Sequence, residues 1–155
     1  MELEKKWRNE NVNRTLPANK ADLELFQEKY NIALPDDLAN YLQSLNGTGG
    51  DCTDDLFEFY SIKKIKKIKE EFKDWVGIPN YQKLLSIKEI NDLYVFANMN
   101  FNLFAYAIKL TKSLEEANEV YILCGDKYKK IADSFSEFIN LYLDSSIELQ
   151  FIDTV

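Results

Sequence analysis

Apolar residues recur at helical spacing in some stretches of this chain and at strand spacing in others. Leu23, Phe26 and Tyr30 share one face of a predicted helix that starts after Asn19. The Asn19 side chain can cap the free amides of Ala21 and Asp22. Leu38, Tyr41, Leu42 and Leu45 follow at i, i+3, i+4 and i+7, the stripe of a core-facing second helix. Pro35 suits its first position, where a missing N–H costs nothing, and Asp36 and Asp37 then occupy a first turn favoured by the helix dipole. Gly47 is expected to end it as a left-handed cap. Ile62, Ile65, Ile68 and Phe72 predict a third helix, which Trp75 and Val76 continue and Gly77 with Pro79 stops.

Leu56 to Tyr60 reads as a short strand with Phe57 and Phe59 on one face and Leu56, Glu58 and Tyr60 on the other. Leu84 to Ile90 fits either a short strand or a helical turn. Tyr94 to Ala97, Phe104 to Leu110 and Glu119 to Cys124 read as three further strands, the second alternating as a half-buried strand should. Short polar connectors between them favour antiparallel pairing. A closing helix is announced by Ser134-Phe135-Ser136-Glu137, which fits a reciprocal capping box between Ser134 and Glu137. Its stripe is Phe135, Phe138, Ile139 and Tyr142. Helices, a meander of strands and a closing helix predict an α+β fold: an antiparallel sheet covered by N-terminal helices and a C-terminal one.

Residues 1–18 read as a polar, Asn-rich and loosely attached segment, with Trp7 available to dock on a core. Residues 19–155 then form one domain, consistent with the length and with a 46% hydrophobic fraction. The N-terminus lacks the apolar run of a signal peptide, and no window is apolar enough to span a membrane. With Cys52 and Cys124 the only cysteines, a reducing cytoplasm and free thiols are expected.

Charge narrows the function. The formal net charge is −7, which opposes direct nucleic-acid binding and favours encounter with a cationic protein. The acids are also segregated. From Tyr30 to Ile62 the chain carries Asp36, Asp37, Asp51, Asp54, Asp55 and Glu58 without a single Lys or Arg. A second base-free stretch runs from Ile131 to Val155, with Asp133, Glu137, Asp144, Glu148 and Asp153. There is no histidine, which removes Ser-His and Cys-His nucleophile pairs and histidine-containing zinc sites.

The remaining constellations favour structure over chemistry. Adjacent acids at Asp36/Asp37, Asp54/Asp55 and Glu115/Glu116 point apart and fit solvated or capping roles. Asp51, Asp54 and Asp55 could gather a divalent cation, although they do not follow the EF-hand pattern. Gly47, Gly49 and Gly50 lack the Lys-Ser/Thr of a phosphate loop. Cys52 beside aspartates is a poor nucleophile, and Cys124 fits buried packing. Lys63, Lys64, Lys66, Lys67 and Lys69 fit the solvated outer face of the third helix rather than a nucleic-acid or acidic-lipid contact. Phe57, Phe59 and Tyr60 adjoin the acidic loop and are either core residues or interface anchors.

Several of these motifs, in this order, resemble the SUKH superfamily (Smi/Knr type). They are Phe26 to Leu34-Pro35, a helix closing in Leu45-Asn46-Gly47, the Phe96-Ala97 and Tyr106-Ala107-Ile108 strands, and the tail from Ile131 to Phe138 after a strand at Val120 to Leu123. The resemblance covers roughly residues 20–145. Central strands of that family often carry Trp, Asp and Gly; here Asn98 to Phe104 has no glycine, which implies a strand turn built differently. The resemblance implies that Leu34, Pro35, Asn46, Gly47, Ser134 and Phe138 are fold determinants. It also implies a non-catalytic immunity protein without cofactor or metal, which blocks a toxin delivered between competing bacterial cells. Many such toxins are nucleases with cationic active sites. Interface residues do not transfer by motif, so charge nominates them: Asp36, Asp37, Asp51, Asp54, Asp55 and Glu58, with Phe57 or Tyr60 as anchors. Eukaryotic relatives of this type act as scaffolds, which makes an adaptor for an endogenous protein the alternative. A small-molecule or metal-binding module, or an enzyme, is the third reading.

Overall fold

The helices are α1 (Glu2–Asn9), α2 (Lys20–Tyr30), α3 (Asp36–Ser44), the short α4 (Ile68–Glu71) and α5 (Phe135–Leu143). A computed structural model of the chain describes residues 2–12 and 15–151, so Asp153 lies outside the described residues. The strands are β1 (Phe57–Phe59), β2 (Lys66–Lys67), β3 (Leu93–Met99), β4 (Phe104–Lys109), β5 (Val120–Cys124) and β6 (Lys127–Ala132). They form one antiparallel sheet in the order β1-β3-β4-β5-β6, with β2 pairing β3 beyond the end of β1. The α+β architecture is thus the expected one, a sheet covered by N-terminal helices and a C-terminal helix.

Helices α1, α3 and α5 meet on the sheet face that carries Phe57 and Phe59. Phe138 of α5 lies edge-on to Phe96 at 5.0 Å and tilted over Tyr106 at 5.3 Å. Tyr41 of α3 meets Phe135 at 4.9 Å. Trp7 docks on the core as its availability suggested: it lies wholly inside, 5.1 Å from Phe59, with its indole N–H donating to the Tyr142 hydroxyl at 3.2 Å, and the segment carrying it is helical rather than loose. Amphipathy over two turns suffices here because Leu3 and Trp7, spaced i and i+4, both find the core. Tyr60 and Asn98 face the other way, where the Tyr60 hydroxyl reaches Glu71 of α4. With both faces covered, β3 and β4 are buried almost throughout, so the half-buried expectation for β4 is corrected.

Other local expectations need correction. The single helix predicted over 62–72 is a turn, then β2, then the four residues of α4. Ile62, Ile65, Ile68 and Phe72 are nevertheless all buried. Their spacing is met by three successive short pieces because Lys66 and Lys67 satisfy the backbone of β3 beside β1. The lysine-rich β6 was not anticipated; it is a sheet edge, where exposed lysines are tolerated and discourage further pairing. Leu84 to Ile90 becomes two short 3-10 turns. Pro35 is the cap residue preceding α3 rather than its first turn. Ser134 does accept from the Glu137 amide, but the Glu137 carboxylate reaches the amide of Asp133, one residue earlier than a capping box requires.

The Asn46-Gly47 junction explains why α3 stops where it does. Leu45 is the C-cap and Asn46 has φ +55. The Asn46 side chain accepts from the Ile62 amide and donates to the Leu16 carbonyl, both at 2.8 Å. Gly47 is there for proximity rather than as the cap itself. Added to it, a Cβ would stand 2.6 Å from the Phe59 carbonyl oxygen, and its φ is +86. Leu34, Pro35 and Phe138 are buried as well.

Candidate functional site: an acidic cleft

The loop after α3 is built on two buried threonines. The Thr48 hydroxyl donates to the Asp51 carbonyl at 2.7 Å and accepts from the Phe59 amide at 3.1 Å. The Thr53 hydroxyl accepts from the Phe57 amide at 3.1 Å and donates to the Asp55 carboxylate. The Leu56 amide donates back to the Thr53 carbonyl at 2.9 Å. The amides of Thr48, Asp51, Thr53, Asp54, Leu56 and Phe57 all donate to fixed partners, which gives the acidic loop much of its shape.

That loop forms one wall of a cleft of about 970 Å³ whose other walls are α1 and the end of α5. Glu2, Glu10, Asp54, Asp55 and Asp144 line it, against Lys5 and Lys6. Lys6 is paired with Glu10 at 2.9 Å, and the other oxygen of Glu10 accepts from the Asp54 amide at 2.8 Å. The C-terminal end of α5 adds the negative pole of its dipole at Leu143 and Asp144. Burial pushes the Tyr142 hydroxyl well above its ordinary range, the Trp7 indole bond opposes this, and Asp55 adds to it. The acids lining the cleft outnumber its lysines, which makes its field negative.

The acids nominated from sequence divide among four places. Asp54 and Asp55 line the cleft. Asp36 and Asp37 lie at the start of α3, near the opposite end of α5, roughly 13 Å away along that helix. Asp37 is already engaged: it accepts from the Leu38 amide, and from the Ser136 amide and hydroxyl at 2.9 and 3.0 Å, tying two helix starts together. Glu58 points to the other sheet face and pairs with Lys64 at 2.7 Å. Asp51 closes the turn with Thr48, its amide 3.3 Å from the Thr48 carbonyl.

The two aromatic anchors named from sequence are core residues. Phe57 stacks on Tyr106 at 5.4 Å, and Tyr60 holds Asn98 and Glu71; each is 2% exposed. Alternation gave their faces correctly, but both faces of β1 are covered. The apolar groups that do reach solvent beside the acidic loop are Leu56, Phe101 and Leu103. Glu2, Glu10 and Asp144 were also not nominated. Asp144 belongs to the second base-free stretch, which was a usable signal; Glu10 sat in the segment expected to be loose.

For Cys52, burial raises the thiol's pKa, and Glu58 and Asp51 add to the shift, the wrong direction for a nucleophile. Among the described residues, no group of three or more His, Cys, Asp or Glu side chains converges as a metal site, and Asp51, Asp54 and Asp55 do not form one. Among them, too, no helix is long and apolar enough to cross a membrane.

A family model described as the SMI1 / KNR4 family (SUKH-1) matches residues 17–141. The chain belongs to this family. No curated protein matches it. The SUKH-1 match opens just ahead of α2 and ends within α5. The cleft therefore joins a wall inside the SUKH-1 region, Asp54 and Asp55, to walls outside it, α1 and Asp144. SUKH-1 membership is consistent with a role of the immunity-protein kind, exercised on a protein partner.

Proposed function

We propose that this SUKH-1 protein is a non-catalytic, cytoplasmic immunity protein that binds a cognate basic protein toxin and neutralises it by covering its active site. A nuclease is the toxin class whose cationic substrate groove fits best. The observation that carries this reading is the acidic cleft, where Glu2, Glu10, Asp54, Asp55 and Asp144 outnumber Lys5 and Lys6 on a preformed wall. Such a surface raises the association rate with a cationic partner and rejects polyanions.

The test is co-expression with the product of the neighbouring upstream gene. Rescue from that product's toxicity together with stable capture supports immunity. Capture of a host protein without rescue supports the adaptor reading instead. In the supported case, Asp54→Asn with Asp55→Asn slows association about tenfold at low salt and flattens its salt dependence. An unchanged rate removes the acidic loop from the interface.

A further inference from the structure

The β3–β4 turn is built without glycine yet runs through the left-handed region for three consecutive residues. Asn100, Phe101 and Asn102 have φ of +52, +53 and +70, and the neighbouring Leu56 has +65. Asparagine adopts this conformation readily; a bulky apolar residue does so only at a steric cost. Packing returns little at Phe101. It is 75% exposed and makes no ring contact with any described residue, while Leu56 and Leu103 beside it are 41% and 39% exposed.

The turn is nevertheless held firmly from beneath. The Asn100 amide donates to the Leu56 carbonyl at 2.9 Å, joining the turn to the acidic loop, and the Leu103 amide donates to the Asn100 carbonyl at 3.2 Å. The Tyr81 hydroxyl donates to the Asn102 carbonyl at 2.8 Å, and the Tyr81 ring is itself fixed by stacking on Phe72 at 4.0 Å. The result is an aromatic side chain presented outward on a fixed turn, so little conformational freedom remains to be lost on binding.

We infer that Phe101, with Leu56 and Leu103 beside it, is the apolar anchor of the partner interface. It enters an apolar socket on a basic protein, with Lys or Arg on the socket rim meeting Asp54 and Asp55. This rests on the toxin-binding reading and names the contact that holds the complex once charge has assembled it. The choice of a cationic protein follows from the setting. Asp54 and Asp55 directly precede Leu56 in the chain, so a second copy docking through this corner would bring like charges together, and an anionic membrane surface would be repelled. A rigid aromatic centre with a charged rim is the arrangement in which truncating one residue costs most.

The experiment uses the full chain and the polypeptide encoded by the neighbouring upstream gene, purified separately, with binding kinetics at two salt concentrations. Phe101→Ala and Phe101→Gly are each expected to dissociate about 30-fold faster, the size of a hot-spot truncation, with association within twofold of the parent. Both variants should melt no lower than the parent, so the loss is not one of folding; glycine suits the positive φ. Unchanged dissociation in both, with Asp54→Asn/Asp55→Asn still slowing association, overturns the anchor and leaves the toxin-binding reading standing. No binding by the parent chain overturns that reading, and the anchor with it.

Discussion

Two turns of this molecule share positive φ and differ in everything around them. At Asn46-Gly47 the conformation is demanded by packing. Gly47 lies against the β1 backbone, where no Cβ fits, and the buried Asn46 side chain bridges Ile62 and Leu16. At Asn100-Phe101-Asn102 the same conformation carries a phenylalanine into solvent. In the first turn, local strain is compensated by contacts. In the second it is tolerated, and the side chain it displays is the feature left to explain. Strain with little packing return marks a place shaped for something other than stability.

Breaking the first turn should have the largest effect. Gly47→Ala forces backbone apart at β1 and sets alanine at positive φ, so a loss of about 4 kcal/mol is expected in urea unfolding. Next comes Asn46→Ala, which leaves the Ile62 amide and the Leu16 carbonyl without their partner; roughly 2–3 kcal/mol is expected by the same measurement. The second turn should behave oppositely. Phe101→Gly is expected to leave stability unchanged or raise it by up to about 1 kcal/mol, and a clear loss would mean that the phenylalanine serves the fold after all.

The smallest effect lies in the polar chain between the turns. Asn98 accepts weakly from the Asn102 amide at 3.4 Å and donates to Tyr60, whose hydroxyl reaches Glu71. Burial holds the Glu71 carboxyl above its ordinary value near 4.5, with Lys66 opposing the shift. The folded state therefore binds this proton more tightly than the unfolded one. Stability contributed by the protonated form is present at low pH and is lost as pH rises from about 4.5 through the raised value. Glu71→Gln should flatten that slope and raise the melting temperature slightly at pH 7. An unaltered pH profile would show that Glu71 ionises normally.

Legibility in the sequence followed how local each determinant is. Asn19 caps α2 as expected, because capping involves residues three apart. The stripes of α3 and α5 are buried as their spacing required, apart from Ile139, which is half-buried. The hairpin turn was partly legible too. The absence of glycine from Asn98 to Phe104 pointed to an unusual strand turn, and the alternating asparagines around Phe101 are the residues that tolerate positive φ. What that turn displays was not legible, because exposure depends on what lies above it. The acidic site was half legible: Asp54 and Asp55 were nominated, but Glu2, Glu10 and Asp144 join them only because α1 and the end of α5 fold onto the loop.

By itself, the sequence determined the α+β class, the positions of α2, α3, α5, β1 and β3 to β5, the apolar stripes and the acidic character. These rest on period, capping and composition, which act over a few residues. Only the tertiary structure decided which aromatics are core and which are surface: Phe57 and Phe101 are the same residue type, one 2% and the other 75% exposed. It also decided which acids form one field, since charges grouped along the chain are separated in space by the length of α5. Burial and electrostatic potential are sums over neighbours distant in sequence, and local patterning carries no record of those neighbours.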